Sequence, residues 1–485
     1  MILTNSYLSL GDEFYQQIEP TPVAAPNLLL WNHELADQLA IDPALQQDRV
    51  ALSQYFSGNR LFPDSTPVAL AYAGHQFGQF NPRLGDGRAH LLGELTDRTN
   101  HRFDIQLKGS GPTRFSRSGD GRCAMGPAVR EFIMSEAMHA LGIPTARSLA
   151  VVTTGEMVFR EEMRPGAVVT RIAASHLRVG TFEYFASQGN LDAVERLCGY
   201  AVERHYPELK QETGEGFYTA FLQAVCRKQI ELICHWLRVG FIHGVMNTDN
   251  TSISGETIDY GPCAMMSSYN PDAMFSSIDH SGRYRFIQQP QICQWNMARL
   301  AESLLPLIHE DSKTAVSIAE ELLKEMANEF HQQYFAMLGK KIGLTETKPA
   351  DETLINDLLK HLRLNKLDYT QTFHRLTESL HSSEIDTQIS TDLGDWYPRW
   401  KIRLDEQGEN KETVYQQMRS QNPVVIPRNH HMEAVIRSCI ETGSADDAEA
   451  FLAVLKSPYR ETATTAQYQD APADNDRDYQ TFCGT

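Results

Sequence analysis

Two short runs in the middle of the chain carry oxygen donors suited to a hard cation. One is HGVMNTDN, His243 to Asn250; the other is IDYG, with Asp259 nine residues after Asn250. A carboxamide oxygen and a carboxylate oxygen suit Mg²⁺ or Mn²⁺, with triphosphate oxygens completing the shell. Complementary cations lie upstream. RLGDGRAHLLGEL supplies Gly85 and Gly87, which let backbone amides approach a phosphate, with Arg88 beside them. FDIQLK then ends in Lys108, an ammonium able to meet phosphate as a point charge. Glu131 follows in VREF, placed to pair with that lysine or, as a surface pair, with its neighbour Arg130.

The order Gly-x-Gly, Lys, Glu, Asn, Asp is that of protein kinases. Their catalytic loop reads H-R-D-x-x-x-x-N, and the aspartate of their D-F-G holds metal. The His-to-Asn spacing fits here, but Val245 stands where a kinase has its catalytic base. Asp249 is the nearest carboxylate able to accept a proton. In an extended loop its side chain and that of Asn250 face opposite ways, so one could reach a hydroxyl while the other holds metal. The competing role for Asp249 is to cap or orient the loop. Taken singly, these pieces read as a tight turn, a surface lysine and a surface ion pair; their order as a set raises them above that.

The elements that must position these residues change along the chain. From about 68 to 171 the pattern is α+β. RAHLLGEL and RFDIQLKGSG have strand composition bounded by glycines, and SLAVVTTGEMVFRE reads as two strands around a Thr154-Gly155 turn. PAVREFIMSEAMHALG has helical spacing, with Pro127 suited to the first turn and Gly142 to the C-cap. After about 190 amphipathic helices dominate, one of them leading straight into His243. A β-rich lobe followed by a helical lobe is kinase-like in order. The organisation expected is an N-terminal extension at 1–65, a nucleotide-binding lobe at 66–180, a helical lobe at 181–460 and a polar tail at 461–485.

Composition sets outer limits. The chain has 485 residues, 41% of them hydrophobic, and a formal charge of -18. That charge argues against nucleic-acid or anionic-membrane partners. Between Arg83 and Arg130, however, nine Lys/Arg face five Asp/Glu, a basic island suited to a small anionic ligand. No apolar run reaches the roughly 18 residues of a membrane span, and MILTNSYLSLGDEF lacks the basic-then-apolar order of a secretory signal, so a bacterial cytoplasmic location is expected. Eight cysteines without a CxxC pair make neither a disulfide framework nor a zinc site. Seven are expected to be buried thiols. Cys483, on a polar arm expected to be mobile, is either an exposed redox thiol or a thiol without a role.

The strings YAGHQFGQF…LGDGRA, QLKGSGPTRFSRSGDGR, HGVMNTDN, DYGPC, GRYRFIQQPQICQWN and the terminal FCGT together are similar to the selenoprotein O family, which includes the bacterial YdiU proteins. They run from about Tyr72 to the last residue. The resemblance implies an α+β, protein-kinase-like bilobal fold with extra C-terminal helices. It also implies a protein adenylyltransferase that moves AMP from ATP to Ser, Thr or Tyr hydroxyls and releases pyrophosphate. UMP transfer from UTP with Mn²⁺ is attributed to bacterial members. Matched by motif, the nucleotide contacts implied are Gly85, Gly87, Arg88, Lys108, Asp120, Gly121, Arg171, Arg178 and Asp259. Asp249 is implied as proton acceptor, Asn250 and Asp259 as metal ligands, and Glu131 as the anchor of Lys108. Some members link the tail cysteine to one near the metal loop; the partner is unassigned here, with Cys263, four residues after Asp259, a candidate by proximity in sequence only. An ordinary kinase and a nucleotide-binding pseudokinase scaffold are the rival expectations. The sequence leaves the oligomeric state and the identity of the protein substrates open.

Overall fold

A computed structural model describes residues 3–482. The first strands in the chain are β1 (Tyr15–Gln17), β2 (Asn27–Trp31) and β3 (Val68–Leu70), followed by a small hairpin of β4 (Gly74–Gln76) and β5 (Gln79–Asn81). After them come β6 (Ala89–Thr96), β7 (Arg102–Lys108), β8 (Cys123–Ala124), β9 (Arg147–Phe159) and β10 (Met163–Ala173). The main sheet runs β1-β3-β6-β7-β10-β9-β2, with β8 paired to β10. Residues ahead of 65 therefore provide both edge strands of this sheet.

One face of the sheet buries Leu107, Val152 and Val168 against Leu52 and Phe56 of the N-terminal helices α1 (His33–Gln38), α2 (Pro43–Gln47) and α3 (Arg49–Phe56). The other face packs on α4 (Met125–Ala140), whose Phe132 and Ile133 are buried. Each such apolar side chain removed from water stabilises the fold by roughly 1.5–3 kcal/mol. Pro127 sits in the first turn of α4. The helix ends in a Schellman motif: Gly142 has φ +74°, Gly142 N donates to His139 O at 2.9 Å and Ile143 N to Met138 O at 3.0 Å. Val169 pairs with Lys108 and Arg171 with Gln106 across β10 and β7. Cross-strand partners share a face, and residues two apart do too, so Lys108 and Arg171 both rise toward α4.

Helices follow: α5 (Val179–Ala186), α6 (Leu191–His205) and α7 (Glu215–Val239). Gly240, at φ +78°, ends α7 and turns the chain into β11 (Phe241–Ile242), which pairs with β12 (Ala264–Met265). This two-stranded ladder brackets both chemistry-bearing loops. Then come α8 (Gln289–Ile308), α9 (Ser312–Lys341), α10 (Asp351–Asn365), α11 (Tyr369–Glu378), α12 (Ser383–Leu393) and α13 (Trp396–Gln407). The last four are α14 (Lys411–Gln421), α15 (Asn429–Thr442), α16 (Asp446–Leu455) and α17 (Ala466–Gln469); α15 and α16 return to pack on α4. The result is a mixed α/β protein, sheet-rich in its N-terminal region and helical in its C-terminal region. Arg204 of α6 rivets the two together, donating to Glu94 of β6, Asp104 of β7 and the Ala174 carbonyl, each at 2.6 Å. Among the described residues no helix is long and apolar enough to cross a membrane.

Two expectations are corrected. SLAVVTTGEMVFRE is one strand, not two. Gly155 takes φ +71° inside β9, where residues 154–156 lie opposite the single Gly166 of β10, so the irregularity is a bulge in β9 itself. The tail is docked rather than mobile, at least as far as Phe482. Arg130 donates to the Tyr479 hydroxyl at 3.1 Å, Thr481 N to Phe275 O at 2.7 Å and Thr481 Oγ1 to Pro262 O at 2.7 Å. Cys483 lies outside the described residues.

Candidate functional site

Four charged groups meet where the sheet, α4 and the loop after β11 converge. Lys108 Nζ donates to Glu131 Oε2 at 2.7 Å and to Asp259 Oδ1 at 2.9 Å. Arg171 Nε donates to Glu131 Oε1, and its Nη2 reaches Asp259 Oδ1 at 3.4 Å. Lys108 and Arg171 are each 6% exposed and Glu131 4%. Burial opposes ionisation of Asp259, yet Lys108 and Arg171 outweigh it and hold the carboxyl well below the usual carboxylate range. Burial likewise opposes the charge on Glu131, and Arg171 and Lys108 again win. The two carboxylates and Arg171 are therefore charged at neutral pH. Glu131 does not pair with Arg130, which turns to Glu433 and Tyr479 on the far side of α4.

The catalytic-type loop leaves β11 and is held by His243. Its Nδ1 accepts from Val245 N at 3.3 Å, so Nε2 carries the proton and donates to Ile258 O at 2.9 Å. That bond fastens the loop to the segment bearing Asp259. Val245 is 2% exposed and packed as an apolar residue. Residues Thr248–Asn250 form a 3-10 turn, so the loop is not extended, which corrects the geometry expected for Asp249 and Asn250. The turn arises because neighbouring side chains are fixed from outside: Tyr284 Oη donates to Asn247 Oδ1 at 2.6 Å, and Thr248 Oγ1 donates to Glu183. Asp249 still lines the same cleft as Lys108 and Asp259. Burial pushes its carboxyl up to about 7, against the pull of Arg178 and the Gln76 hydrogen bond.

The cleft has a volume of about 1660 Å³ and is lined by each of the expected nucleotide, catalytic and metal residues, while Glu131 lies behind Lys108. Arg178 Nη1 donates to Asp249 O at 3.1 Å and stacks 4.3 Å from the Tyr72 ring centroid. Arg88 lines the wall and adds to the field that depresses Asp259. Asp120 is exposed and takes both terminal nitrogens of Arg160, at 2.9 and 3.1 Å. The glycines answer first to packing. A Cβ on Gly87 would lie 2.8 Å from Phe115 O, and one on Gly121, at φ +68°, 2.2 Å from the carbonyl carbon of Gly111. Gly85, at φ +66°, is crowded by the Phe115 ring in the same way. The 112–121 loop thus crosses the Gly-x-Gly turn directly.

Two further groups belong to this site and escaped the sequence. Asp86, between the two glycines and 3% exposed, accepts from Leu70 N and Gln106 and faces Arg178 at 3.8 Å. An acid at the centre of a Gly-x-Gly turn was the available signal. Gln76 meets Asp249 across a separation that no sequence spacing reveals.

The donor set fits a hard divalent cation. Asn250 gives its Nδ2 to Val245 O at 3.1 Å, which leaves Oδ1 for a ligand. Asp259, at φ +64°, commits Oδ1 to Lys108 and Arg171 and leaves Oδ2. No group of three or more His, Cys, Asp or Glu residues able to hold a metal occurs among the described residues. One carboxylate and one carboxamide suit an ion that shares its shell with phosphate oxygens and water. Cys263 is buried, donates to Tyr260 O at 3.3 Å and has its thiol pushed up to about 12 by burial. The described end of the tail touches its neighbour Pro262.

A basic-walled cleft with ionised carboxylate, carboxamide and a buried carboxyl at its floor defines a class: sites that gather a polyanionic phosphate chain and move a proton beside it. The comparisons narrow that class. The chain belongs to the SelO family, described as protein adenylyltransferase SelO, which matches residues 2–457. Its relatives include proteins named protein nucleotidyltransferase YdiU. The one from Teredinibacter turnerae is 59% identical over the full length of both chains, and that of Pseudoalteromonas translucida 50% identical over the full length of both. The one from Bacillus thuringiensis is 48% identical over all of this chain and 98% of its own.

Proposed function

We propose that this chain transfers the nucleoside monophosphate of ATP onto Ser, Thr or Tyr hydroxyls of proteins, with UTP as a second donor. The observation that carries the reading is the exchange of roles within one loop. Val245 at the kinase base position offers the cleft only an apolar side chain, while Asp249 brings a carboxyl to the same cleft beside Asn250 and near the Lys108–Asp259 pair. In the proposed step Asp249 accepts the hydroxyl proton and the hydroxyl oxygen bonds to the α-phosphorus. The bond from that phosphorus to the bridging oxygen breaks, and pyrophosphate leaves with the electron pair.

Lys108, Arg88, Arg171 and Arg178 are assigned to the phosphate chain, where charge accumulates on the leaving pyrophosphate. Glu131 keeps Lys108 and Arg171 side by side. Asp120 and Gly121 belong to the loop roofing the cleft, with Gly85 and Gly87 beneath it. Asn250 and Asp259 would hold Mg²⁺ or Mn²⁺, which when bound neutralises phosphate charge and draws electron density from phosphorus. We further read residues 66–180 and 181–460 as the two lobes of a kinase-like fold, and the protein as cytoplasmic.

Supplying ATP labelled at the α-phosphate in one reaction and at the γ-phosphate in another tests the proposal. Protein-bound label from the α-position alone, lost in D249A and D259A, is expected. Label from the γ-position alone would make the chain a kinase and overturn the assignment.

A further inference from the structure

The β4–β5 hairpin has no part in the transfer just described, yet it is tied to the catalytic loop residue by residue. His75 N donates to Thr248 Oγ1 at 2.7 Å, Gln76 Nε2 to Asp249 Oδ2 at 3.2 Å, and Phe77 N to Asn247 Oδ1 at 3.2 Å. Three consecutive hairpin residues thus grip three consecutive loop residues. Tyr284 closes the frame, accepting from Phe77 N at 3.0 Å while donating to Asn247. Phe77 reaches this position at φ +52°, a left-handed conformation that costs a bulky residue energy and persists where the surroundings enforce it.

Gly74 shows how closely the hairpin approaches. A Cβ there would lie 2.8 Å from Asp249 Oδ1 and 2.9 Å from its Cβ. Hairpin backbone therefore walls one side of the Asp249 carboxyl, and Oδ1 is buried without a hydrogen-bond partner among the described residues. Gln76 addresses the other oxygen and lines the cleft. Torsion about a carboxyl's last bond is broad, so a donor on one oxygen is what selects an orientation.

We propose that Gln76 is a positioning residue for the transfer: its amide fixes the Asp249 carboxyl so that an incoming hydroxyl meets it in one orientation. The inference rests on the nucleotidyl-transfer reading and extends it to the acceptor side of the cleft. Misplacing a reacting group by an ångström costs on the order of a hundredfold in rate. Because backbone amides and Tyr284 hold the hairpin to the loop, shortening Gln76 leaves the frame in place.

The test is a double-mutant cycle on the full chain, with casein as the hydroxyl-bearing probe and ATP with Mn²⁺. Pyrophosphate release and ATP affinity are measured for wild type, Gln76→Ala, Gln76→Glu, Asp249→Asn and the Gln76→Ala/Asp249→Asn pair. A kcat about 10- to 100-fold lower is expected in both single Gln76 variants, with the ATP Kd changed less than about twofold. In the Asp249→Asn background the same change is expected to cost less than about twofold, because no carboxyl remains there to be oriented for proton transfer. An equal loss in both backgrounds, or a weakened ATP Kd with unchanged kcat, overturns the proposal. Release of ADP instead of pyrophosphate by the wild type would sink the transfer reading. The cycle would then be followed on ADP, and the same non-additivity would decide the role of Gln76.

Discussion

Two buried lysines show how differently the two halves of this molecule treat charge. Lys108, on the sheet, has two carboxylates within 2.9 Å and stands beside a second cation, Arg171, bound to the same pair. Lys341, at the end of α9 and 1% exposed, has no carboxylate partner among the described residues. Its Nζ donates to Arg238 O at 2.9 Å and lies 4.2 Å from the Phe373 ring centroid and 5.1 Å from that of Tyr369. Burial, followed by Arg238, lowers its pKa well below the ordinary lysine value. The sheet buries its cations in contact with carboxylates, an arrangement useful where an anionic ligand must be met. The helical region seats the Lys341 amine on aromatic faces and uses it to cap the last turn of α7, a packing solution.

The sharpest way to break that contrast is at the cleft floor. D249N is expected to lower transfer by about 10²–10⁴-fold. Its melting temperature should equal or exceed the wild-type value, since an amide relieves a buried carboxyl; a large drop would show Asp249 to be structural. E131L removes one partner from a closed cluster, so chemical denaturation should show a loss of about 3–5 kcal/mol together with lost activity.

His374 on α11 sharpens the helical side. Burial, then Arg419 and Arg375, lowers its pKa to about 4, and Arg419 donates to its Nδ1 at 3.1 Å. The folded chain binds this proton less readily than the unfolded one. The stability it confers is therefore complete above about pH 6.5 and is lost as pH falls toward 4. H374Q is expected to flatten the stability-against-pH curve over that window by roughly 2 kcal/mol, with activity at neutral pH unchanged. Smallest of all should be K341M. Removing an amine without an ionic partner exchanges a hydrogen bond and ring contacts for apolar packing, so stability should move by less than about 1 kcal/mol. A loss as large as that of E131L would erase the distinction between the two lysines.

Local signals in the sequence reached as far as local physics does. Pro127 and Gly142 marked α4 because a first-turn proline and a left-handed C′ glycine act on their own few residues. The strands ending at Thr96 and Lys108 were legible from composition and flanking glycines. Gly155 misled because a left-handed glycine reads as a turn unless its own strand bulges there, and the cross-strand pairing that carries the bulge is not a local property. The 3-10 turn at 248–250 depends on Tyr284 and Glu183, which are distant in sequence. The polar tail looked mobile because its anchors, Pro262, Phe275 and Arg130, lie on other elements. Gln76 is hidden for the same reason, as its partner is 173 positions away.

The measurement that bears most directly on the central claim is the mass of what is attached to the acceptor. Wild-type protein incubated with ATP, Mn²⁺ and casein should yield a nucleoside-monophosphate adduct on Ser, Thr or Tyr, located by fragment spectra and absent with D249N. A phosphate adduct alone, surviving in D249N, would contradict both the assignment of the base and the nature of the group transferred.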